Sequence, residues 1–331
     1  MAHCVVPEAE AILDKEYPVL DKGFVRLVDY FGGDARIVQA ARVSYGEGTK
    51  TVSQDGALID YLLRHEHTSP FEQVVMTFHL KMPIFVARQW VRHRTGRMNE
   101  VSGRYSIMKD EFYVPSDENI APQSKDNKQG RAAEPFSKDE AENIRAALEE
   151  GQKASYETYT KLIDASLARE IARIDLPLAL YTEFYWQMDL HNLFRFLKLR
   201  LDGHAQYEIR EYAKVILALC RTVAPLATGS FINHINEGVR FSGEEMEALR
   251  KILSGEQNPL EGKSANASKK NCGRERSCSA ARLNFKMRHC RKYQLPRMPH
   301  WCAHPYILYF FTTTMFRSAS FIKGTRTSVS V

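Results

Sequence analysis

The stretch VVMTFHLKMPIFVARQWVRHR, residues 74–94, contains two hydrophobic patterns, one typical of a strand and one typical of a helix. Its first half alternates between apolar and polar side chains, which is typical of a β-strand with one buried face. After Pro83, which is favoured at the start of a helix, the apolar residues recur at helical spacing. The stretch therefore predicts a strand that leads directly into a helix, with Gln89, Arg92 and His93 near the C-terminal end of that helix.

The rest of the chain repeats this alternation of strand and helix patterns. Strand-like alternation is found in residues 23–32 and in the aromatic segment 178–188. Helical spacing of apolar residues is found in residues 34–46, 57–65, 138–169, 189–202 and 204–225, with Asp34 as the expected cap of the first of these helices. The alternation predicts an α/β (α+β) fold in which a mixed sheet is flanked by helices.

The charge of the chain is divided unevenly. The whole chain of 331 residues has 46 Lys and Arg against 40 Asp and Glu, a net charge of +6. Residues 263–331 hold 14 of the basic residues and a single acid, Glu275, whereas residues 1–262 carry 32 basic and 39 acidic residues. The body is therefore acidic, which argues against general electrostatic attraction to nucleic acid.

The sequence contains no pattern that predicts membrane insertion or secretion. It has no run of 18 apolar residues, and its N-terminal residues lack the basic and apolar regions of a secretory signal. We therefore expect a cytoplasmic protein.

Residues 255–331 form a basic tail in which the periodic patterns of the body stop. The tail contains four of the six cysteines together with three histidines: Cys272, Cys278, Cys290, Cys302, His289, His300 and His304. Their spacing matches no CxxC zinc pattern, so we predict no metal site, and zinc binding or a nucleic-acid-binding arm stays open as an alternative.

The stretch RQWVRHRTGRMNEVSGRYS, residues 88–106, is called the arginine stretch below. It has five arginines and a single acid, and the arginines are Arg88, Arg92, Arg94, Arg97 and Arg104. A guanidinium group binds phosphate or carboxylate through two N–H groups and keeps its charge, so such a cluster favours phosphorylated ligands. The alternative is a solvated surface on which the arginines pair with nearby acids.

Two further groups could contact anions. Asp189, His191, Arg195 and Arg200 are spaced so that they can share one side of a helix, although an ordinary amphipathic helix has the same pattern. Arg173 stands in the apolar context IARIDLP, where a structural salt bridge is the alternative to an anion contact.

Other common active sites find little support in the sequence. His65 and His67 have no partner of the HExxH type, and no GxGxxG, GxxxxGK[ST] or GxSxG motif occurs. Cys4 and Cys220 are the only cysteines of the body, and neither has the context of a thiol nucleophile. Ser102 has no base close to it in sequence, so we interpret it as a ligand contact.

Four motifs together carry a resemblance to a known family. The string RHRTGRMNEVS, with HEHTSPFEQ before it and IARIDLP and LRLDGHAQYEIREYA after it, resembles the flavin-dependent thymidylate synthases (ThyX). The resemblance covers residues 20–252. It implies a catalytic domain over residues 1–254 with a mainly antiparallel sheet, and a tail over 255–331 that is foreign to the family fold.

The resemblance implies a role for individual residues. Contacts with FAD would come from Ser69, Arg92, His93, Arg94, Glu100, Asp189, Leu190, His191 and Arg195. The dUMP site would be lined by Gln89, Trp90, Val91, Arg92, Glu100, Val101, Ser102, Gly103, Arg104 and Arg173. Arg200 would lie beside the uracil ring and favour ionisation at N3, which makes it the expected catalytic residue.

The resemblance also implies the reaction and the partners. A methylene group from 5,10-methylenetetrahydrofolate would reach dUMP, reduced FAD would give a hydride, and NADPH would restore the flavin. Such enzymes are homotetramers whose active sites take residues from neighbouring chains. The alternative from the residues alone is an arginine-rich RNA-binding protein, in which Trp90 and Tyr105 stack on bases.

Overall fold

The computed structural model describes residues 4–43, 55–125 and 129–254, so the predictions about the tail lie outside the described residues. Its centre is a five-stranded sheet in the order β1-β2-β3-β5-β4. The strands are β1 (Glu16–Val19), β2 (Gly23–Phe31), β3 (Val75–Pro83), β4 (Arg97–Glu100) and β5 (Tyr181–Asp189). All four pairings of neighbouring strands in this sheet are antiparallel. The predicted α/β fold with a mainly antiparallel sheet is confirmed.

The described residues also form helices of very different lengths. They are α1 (Pro7–Glu10), α2 (Asp34–Arg42), α3 (Asp55–Arg64), α4 (Ile84–Trp90), α5 (Lys138–Asp164), α6 (Arg169–Ala172), α7 (Leu190–Arg200), α8 (Tyr207–Val223), α9 (Pro225–Phe231) and α10 (Gly243–Leu253). Residues up to Val239 form one compact unit, and α10 belongs to a second unit that begins at Arg240. A capping box between Ser242 and Glu245 begins α10.

Strand β3 shows why one face of the sheet carries the core. Met76, Phe78 and Leu80 are fully buried, while the residues between them stay partly exposed. Their neighbours Phe184 and Trp186 on β5 point to the same buried face, where α4, α7 and α8 pack. The alternation read from the sequence therefore reflects a sheet with one covered and one open face.

Three local predictions need correction. Asp34 does not cap its own helix, because its carboxylate accepts hydrogen bonds from the backbone N–H groups of Leu226 (2.7 Å) and Ala227 (2.9 Å) at the start of α9. Helix α4 ends at Trp90, so Arg92 and His93 lie in the turn beyond it. Helix α5 ends at Asp164 rather than near residue 169. Strand β4 was not predicted from the sequence at all.

Candidate functional site

The first half of the arginine stretch is a turn that is pressed against the core. The backbone N–H of His93 donates to the carbonyl of Trp90 (3.0 Å), which closes the turn directly after α4. A side chain at Gly96 would collide with the indole nitrogen of Trp186, so this position requires glycine. Because the inner side of the turn is filled in this way, Arg92 and Arg94 extend into solvent.

Four arginines of the arginine stretch differ in whether another side chain of the protein binds their guanidinium group. Arg104 forms an ion pair with Glu170 (Nε to Oε2, 3.4 Å), and Arg97 donates to the amide oxygen of Gln187 (3.5 Å). In the described part of the chain, the guanidinium groups of Arg92 and Arg94 have neither a hydrogen bond nor an ion pair. Their charges are therefore available to an anion, whereas the ion-paired interpretation holds for Arg104.

Arg200 joins the end of α7 to the turn after α4. Its Nε–H donates to Nε2 of His93 (2.9 Å), and its Nη2 donates to the backbone carbonyl of Gln89 (3.1 Å). The side-chain amide of Gln89 in turn bonds to that of Gln206, which precedes α8. The structure thus brings His93, which the resemblance assigned to FAD, together with Gln89 and Arg200, which it assigned to dUMP.

His93 in this position is a neutral imidazole. Burial, and then the positive charge of Arg200, lowers its pKa to about 4 from the ordinary 6.5. Burial also lowers the pKa of the Arg200 guanidinium, which nevertheless stays far above neutrality. The pair therefore carries a single positive charge near pH 7, and that charge belongs to Arg200.

Glu100 is the one acid of the arginine stretch, and a residue that the sequence interpretation missed orients it. The hydroxyl of Thr182 donates to Oε1 of Glu100 (2.6 Å), and Thr182 is almost fully buried on β5. The other carboxylate oxygen of Glu100 has no partner among the described residues. Nothing near Thr182 in sequence indicates this role, because the contact depends on the pairing of β4 with β5.

The second half of the arginine stretch forms a tight turn around Ser102. The carbonyl of Ser102 accepts from the N–H groups of Tyr105 and Ser106 (3.0 Å each), and its hydroxyl accepts from the N–H of Arg104 (3.3 Å). A side chain at Gly103 would come within 3.1 Å of Cδ of Arg173. The structure therefore places Arg173 against this turn, and its guanidinium is exposed without an acidic partner in the described ranges.

Trp90 and Leu190 do not have the exposure that their expected roles need. The indole of Trp90 is fully buried and packs against Phe196 (4.5 Å between ring centres) and Trp186 (5.2 Å). Leu190 is also fully buried. Both residues belong to the core of the single chain, whereas Val91 and Val101 are exposed.

The remaining flavin candidates lie around the other end of α7. The carboxylate of Asp189 caps this helix by accepting from the N–H of Asn192 (2.9 Å). Eleven residues at about 1.5 Å each separate Asp189 from Arg200, so the two lie roughly 16 Å apart along the helix. A ligand that contacted both would have to be extended.

Ser69 lies in an open cavity of about 670 Å³ whose other lining residues include Arg36, Tyr61, His67 and Gln73. His191 is partly exposed and Arg195 is exposed. No hydrogen bond or ion pair between described residues links Ser69, His191 or Arg195 to the arginine stretch.

The described residues contain neither a metal-binding cluster nor a membrane-spanning helix. They contain no group of three or more His, Cys, Asp or Glu side chains that could hold a metal ion. None of their helices is both long enough and apolar enough to cross a membrane.

Comparison with known families gives two matches along this chain. A family model described as thymidylate synthase complementing protein matches residues 26–226. A second model, described as the thymidylate synthase ThyX C-terminal domain, matches residues 239–266.

Individual relatives and a solved structure agree with these matches. A flavin-dependent thymidylate synthase of Treponema denticola is 63% identical over 251 residues, which is 76% of this chain and 94% of the relative. The enzyme of the same description from Thermus thermophilus is 59% identical over 239 residues, covering 72% and 86% of the two chains. The structure of a UMP/dUMP methylase, PolB, from Streptomyces cacaoi bound with 5-Br dUMP superposes with a TM-score of 0.60 at 30% identity, over 66% of this chain and 99% of that one.

Proposed function

The chain belongs to the flavin-dependent thymidylate synthase family, and from that membership we propose that it methylates dUMP to dTMP in a reaction that requires FAD. The observation that carries the proposal is the arrangement around His93. The exposed guanidinium groups of Arg92 and Arg94 flank it without an acidic partner in the described residues, and Arg200 is bonded to it. The RNA-binding alternative has no support from the relatives.

The residues proposed for FAD have the properties that a dinucleotide cofactor needs. Arg92 and Arg94 would neutralise its phosphates, since their charges are otherwise unpaired in the described part of the chain. The second group, at Ser69, Asp189, His191 and Arg195, would hold another part of the same extended molecule. Leu190 would lie beneath this group in the core. Bound FAD would supply the hydride for the methylation.

The residues proposed for dUMP follow the arginine stretch into its second turn. Arg104 and Arg173 stand beside the turn of Ser102 and Gly103, and their guanidinium groups suit a phosphate. Glu100, Gln89, Val91 and Val101 would line the remainder, with Trp90 buried beneath them. Glu100 would act as a hydrogen-bond acceptor whose orientation Thr182 fixes.

Arg200 is the proposed catalytic residue, because its remaining donors are suited to the uracil ring. A guanidinium has five N–H groups. Two of them are used by His93 and Gln89. The other three can donate to the oxygen and nitrogen atoms of uracil and stabilise negative charge that develops at N3 and O2, which increases the electron density at C5.

We propose 5,10-methylenetetrahydrofolate as the carbon donor and NADPH as the source of electrons for the flavin. A methylene unit becomes a methyl group only when a hydride is added; reduced FAD would supply that hydride, and NADPH would then return the flavin to its reduced form. A cytoplasmic location is proposed with this function, because these small-molecule substrates belong to nucleotide synthesis.

We propose further that the enzyme is a homotetramer with shared active sites. The support from the chain is the open face of the sheet, where Tyr185 is 44% exposed and stacks on the imidazole of His79 (4.8 Å between ring centres). Exposed aromatic residues on a flat sheet are typical of contacts between chains. Light scattering of the purified protein tests this, because a monomeric mass in the active enzyme would exclude shared sites.

The domain boundary is proposed as predicted, with the catalytic domain over residues 1–254. The tail over 255–331 is proposed to be unnecessary for catalysis, because residues 263–331 lack the charge balance of the body and the C-terminal family match ends at residue 266.

Purified protein tests the proposed function directly. It should show the visible absorption of a flavin and should form dTMP from dUMP only when 5,10-methylenetetrahydrofolate and NADPH are both present. Omission of each component serves as the control. A protein that is loaded with FAD and binds dUMP but forms no dTMP would overturn the proposal.

A further inference from the structure

We propose that His93 is a positioning residue for Arg200, which acts by accepting a hydrogen bond at Nε2 and so orients the guanidinium toward the uracil. This inference rests on the proposed function of Arg200. It assigns to the histidine of the arginine stretch a role that is separate from any contact with FAD.

The geometry of the two hydrogen bonds fixes the plane of the guanidinium. Its Nε–H is held by His93 at 2.9 Å, and its Nη2 is held by the carbonyl of Gln89 at 3.1 Å. Because these two donors lie at different corners of a planar group, both rotation of the plane and sliding along it are restricted. A single bond would leave the plane free to rotate about that bond.

The imidazole can serve only as an acceptor in this contact. Arg200 has no acceptor atom, so Nε2 must be unprotonated and the proton of the neutral ring must lie on Nδ1. Burial and the positive charge of Arg200 both keep His93 neutral, which agrees with its role as an acceptor. The Nδ1–H group has no partner in the described part of the chain and is the only donor that the ring could offer to a ligand.

The core holds the imidazole ring in place. Phe196 is fully buried and lies edge-to-face against His93, with 4.8 Å between ring centres and 73° between the ring planes. Phe196 and Arg200 are four residues apart on α7, so they lie on the same side of that helix. The helix that carries Arg200 therefore also supplies the surface that orients its acceptor.

The rate of dTMP formation should depend on how precisely the N–H donors of Arg200 are placed. Donors that address a developing charge lose most of their effect when they are misplaced by about 1 Å. Without His93, Arg200 would keep its charge and its bond to Gln89 but lose the second restraint. We expect dTMP formation to fall at least about tenfold while the protein stays folded and binds flavin.

The test compares His93→Leu with His93→Gln, because the amide oxygen of glutamine can accept from Arg200 whereas leucine cannot. His93→Leu should lose at least about tenfold in kcat at normal flavin content, and His93→Gln should recover most of that loss. In an Arg200→Lys background, His93→Leu should cause little further loss, because lysine has no guanidinium plane for His93 to orient. His65→Leu makes the same change at an exposed histidine and should resemble the wild type.

The results of these assays distinguish a failure of the positioning role of His93 from a failure of the proposed function. If the wild type forms dTMP and His93→Leu forms it at the same rate, the positioning role is wrong. If His93→Leu and His93→Gln both lose flavin, His93 is a cofactor contact and the positioning role is again wrong. If the wild type forms no dTMP, the proposed function fails and this inference fails with it.

A measurement on the unmodified protein guards against a variant that fails to fold. Nitrogen NMR of histidine-labelled wild-type protein at pH 7.5, with His93→Gln used for assignment, reports which ring nitrogen carries the proton. The inference predicts protonated Nδ1 and unprotonated Nε2 at His93. A proton on Nε2 would rule out the acceptor role.

Discussion

Replacing Arg200 by alanine should stop dTMP formation while leaving the flavin in place. The substitution removes five N–H donors, of which the protein uses two, so the ligand loses up to three. Loss of one donor that addresses a developing charge costs about 10²- to 10³-fold in rate, or roughly 3–4 kcal/mol. We therefore expect kcat of Arg200→Ala to fall by at least about 10²-fold.

Arg200→Lys separates charge from geometry. The ammonium keeps the positive charge, but it cannot bond to His93 and Gln89 and still present a planar pair of donors to the uracil. We expect an intermediate loss, on the order of tenfold in kcat, with a smaller effect on the KM for dUMP.

The assay measures dTMP at saturating dUMP together with flavin absorption and NADPH oxidation in the same samples. Arg221→Ala, at an exposed position on α8, is the matched control and should behave as the wild type. Arg200→Ala should keep its flavin and its oxidation of NADPH. Unchanged dTMP formation by Arg200→Ala would refute the role of this residue, and loss of its flavin would show that it holds the cofactor.

Arg94→Ala should purify with less FAD, which the absorption spectrum will report. The guanidinium of Arg94 has no protein partner in the described residues, so we expect it to bind a phosphate of the cofactor; full flavin content would contradict the assignment. Trp90→Ala should lower the free energy of unfolding in urea by about 3–5 kcal/mol, because it removes a fully buried aromatic ring; a loss of activity without this destabilisation would contradict its place in the core. His93 is neutral in the folded state down to a pKa of about 4 but binds a proton near 6.5 when unfolded, so its contribution to stability is complete above pH 6.5 and is lost as the pH falls toward 4. The wild type should therefore lose more unfolding free energy than His93→Gln between pH 7 and pH 4, and equal losses would contradict the lowered pKa. Deleting residues 255–331 should leave dTMP formation intact, with deletion of residues 267–331 as the control that keeps the whole segment matched by the C-terminal family model; loss of flavin from the shorter protein alone would contradict the proposed boundary.

The long elements of the fold could be predicted because their patterns are local. The change of period at Pro83 marks the end of β3 and the start of α4 to within a residue. Strand β4 was missed because only Met98 of its four residues is partly buried, so it has no alternation to detect. It exists because β5 supplies its hydrogen bonds, and β5 lies more than 80 residues further along the chain.

The candidate site was predicted as a set of residue types and motifs, while its contacts were not. A cluster of arginines indicates an anion site wherever it occurs, and the family motifs assign the ligands. The bond between His93 and Arg200 spans 107 residues, and that between Glu100 and Thr182 spans 82. Such contacts depend on how α7 and β5 pack, which no local pattern reports.

Asp34 shows the opposite error, in which a residue type suggested a local role that packing overrules, and Trp90 shows how packing places a ring that the family motifs assign to a ligand. Trp90 stands next to Gln89 and was grouped with it as a ligand contact, but Phe196 and Trp186 surround its ring in the core. Asp34 stands where a cap is favoured, yet its carboxylate caps a helix that starts 191 residues later.

The most direct test of the central claim is a crystal structure of the protein with FAD and dUMP bound. We predict that the guanidinium of Arg200 lies within hydrogen-bond distance of the uracil ring while it is still bonded to His93. The phosphate of dUMP should lie at the turn of Ser102 and Gly103. We also predict that Arg92 or Arg94 contacts a phosphate of FAD. A uracil ring that lies out of reach of Arg200, or a dUMP molecule bound away from the arginine stretch, would contradict the account.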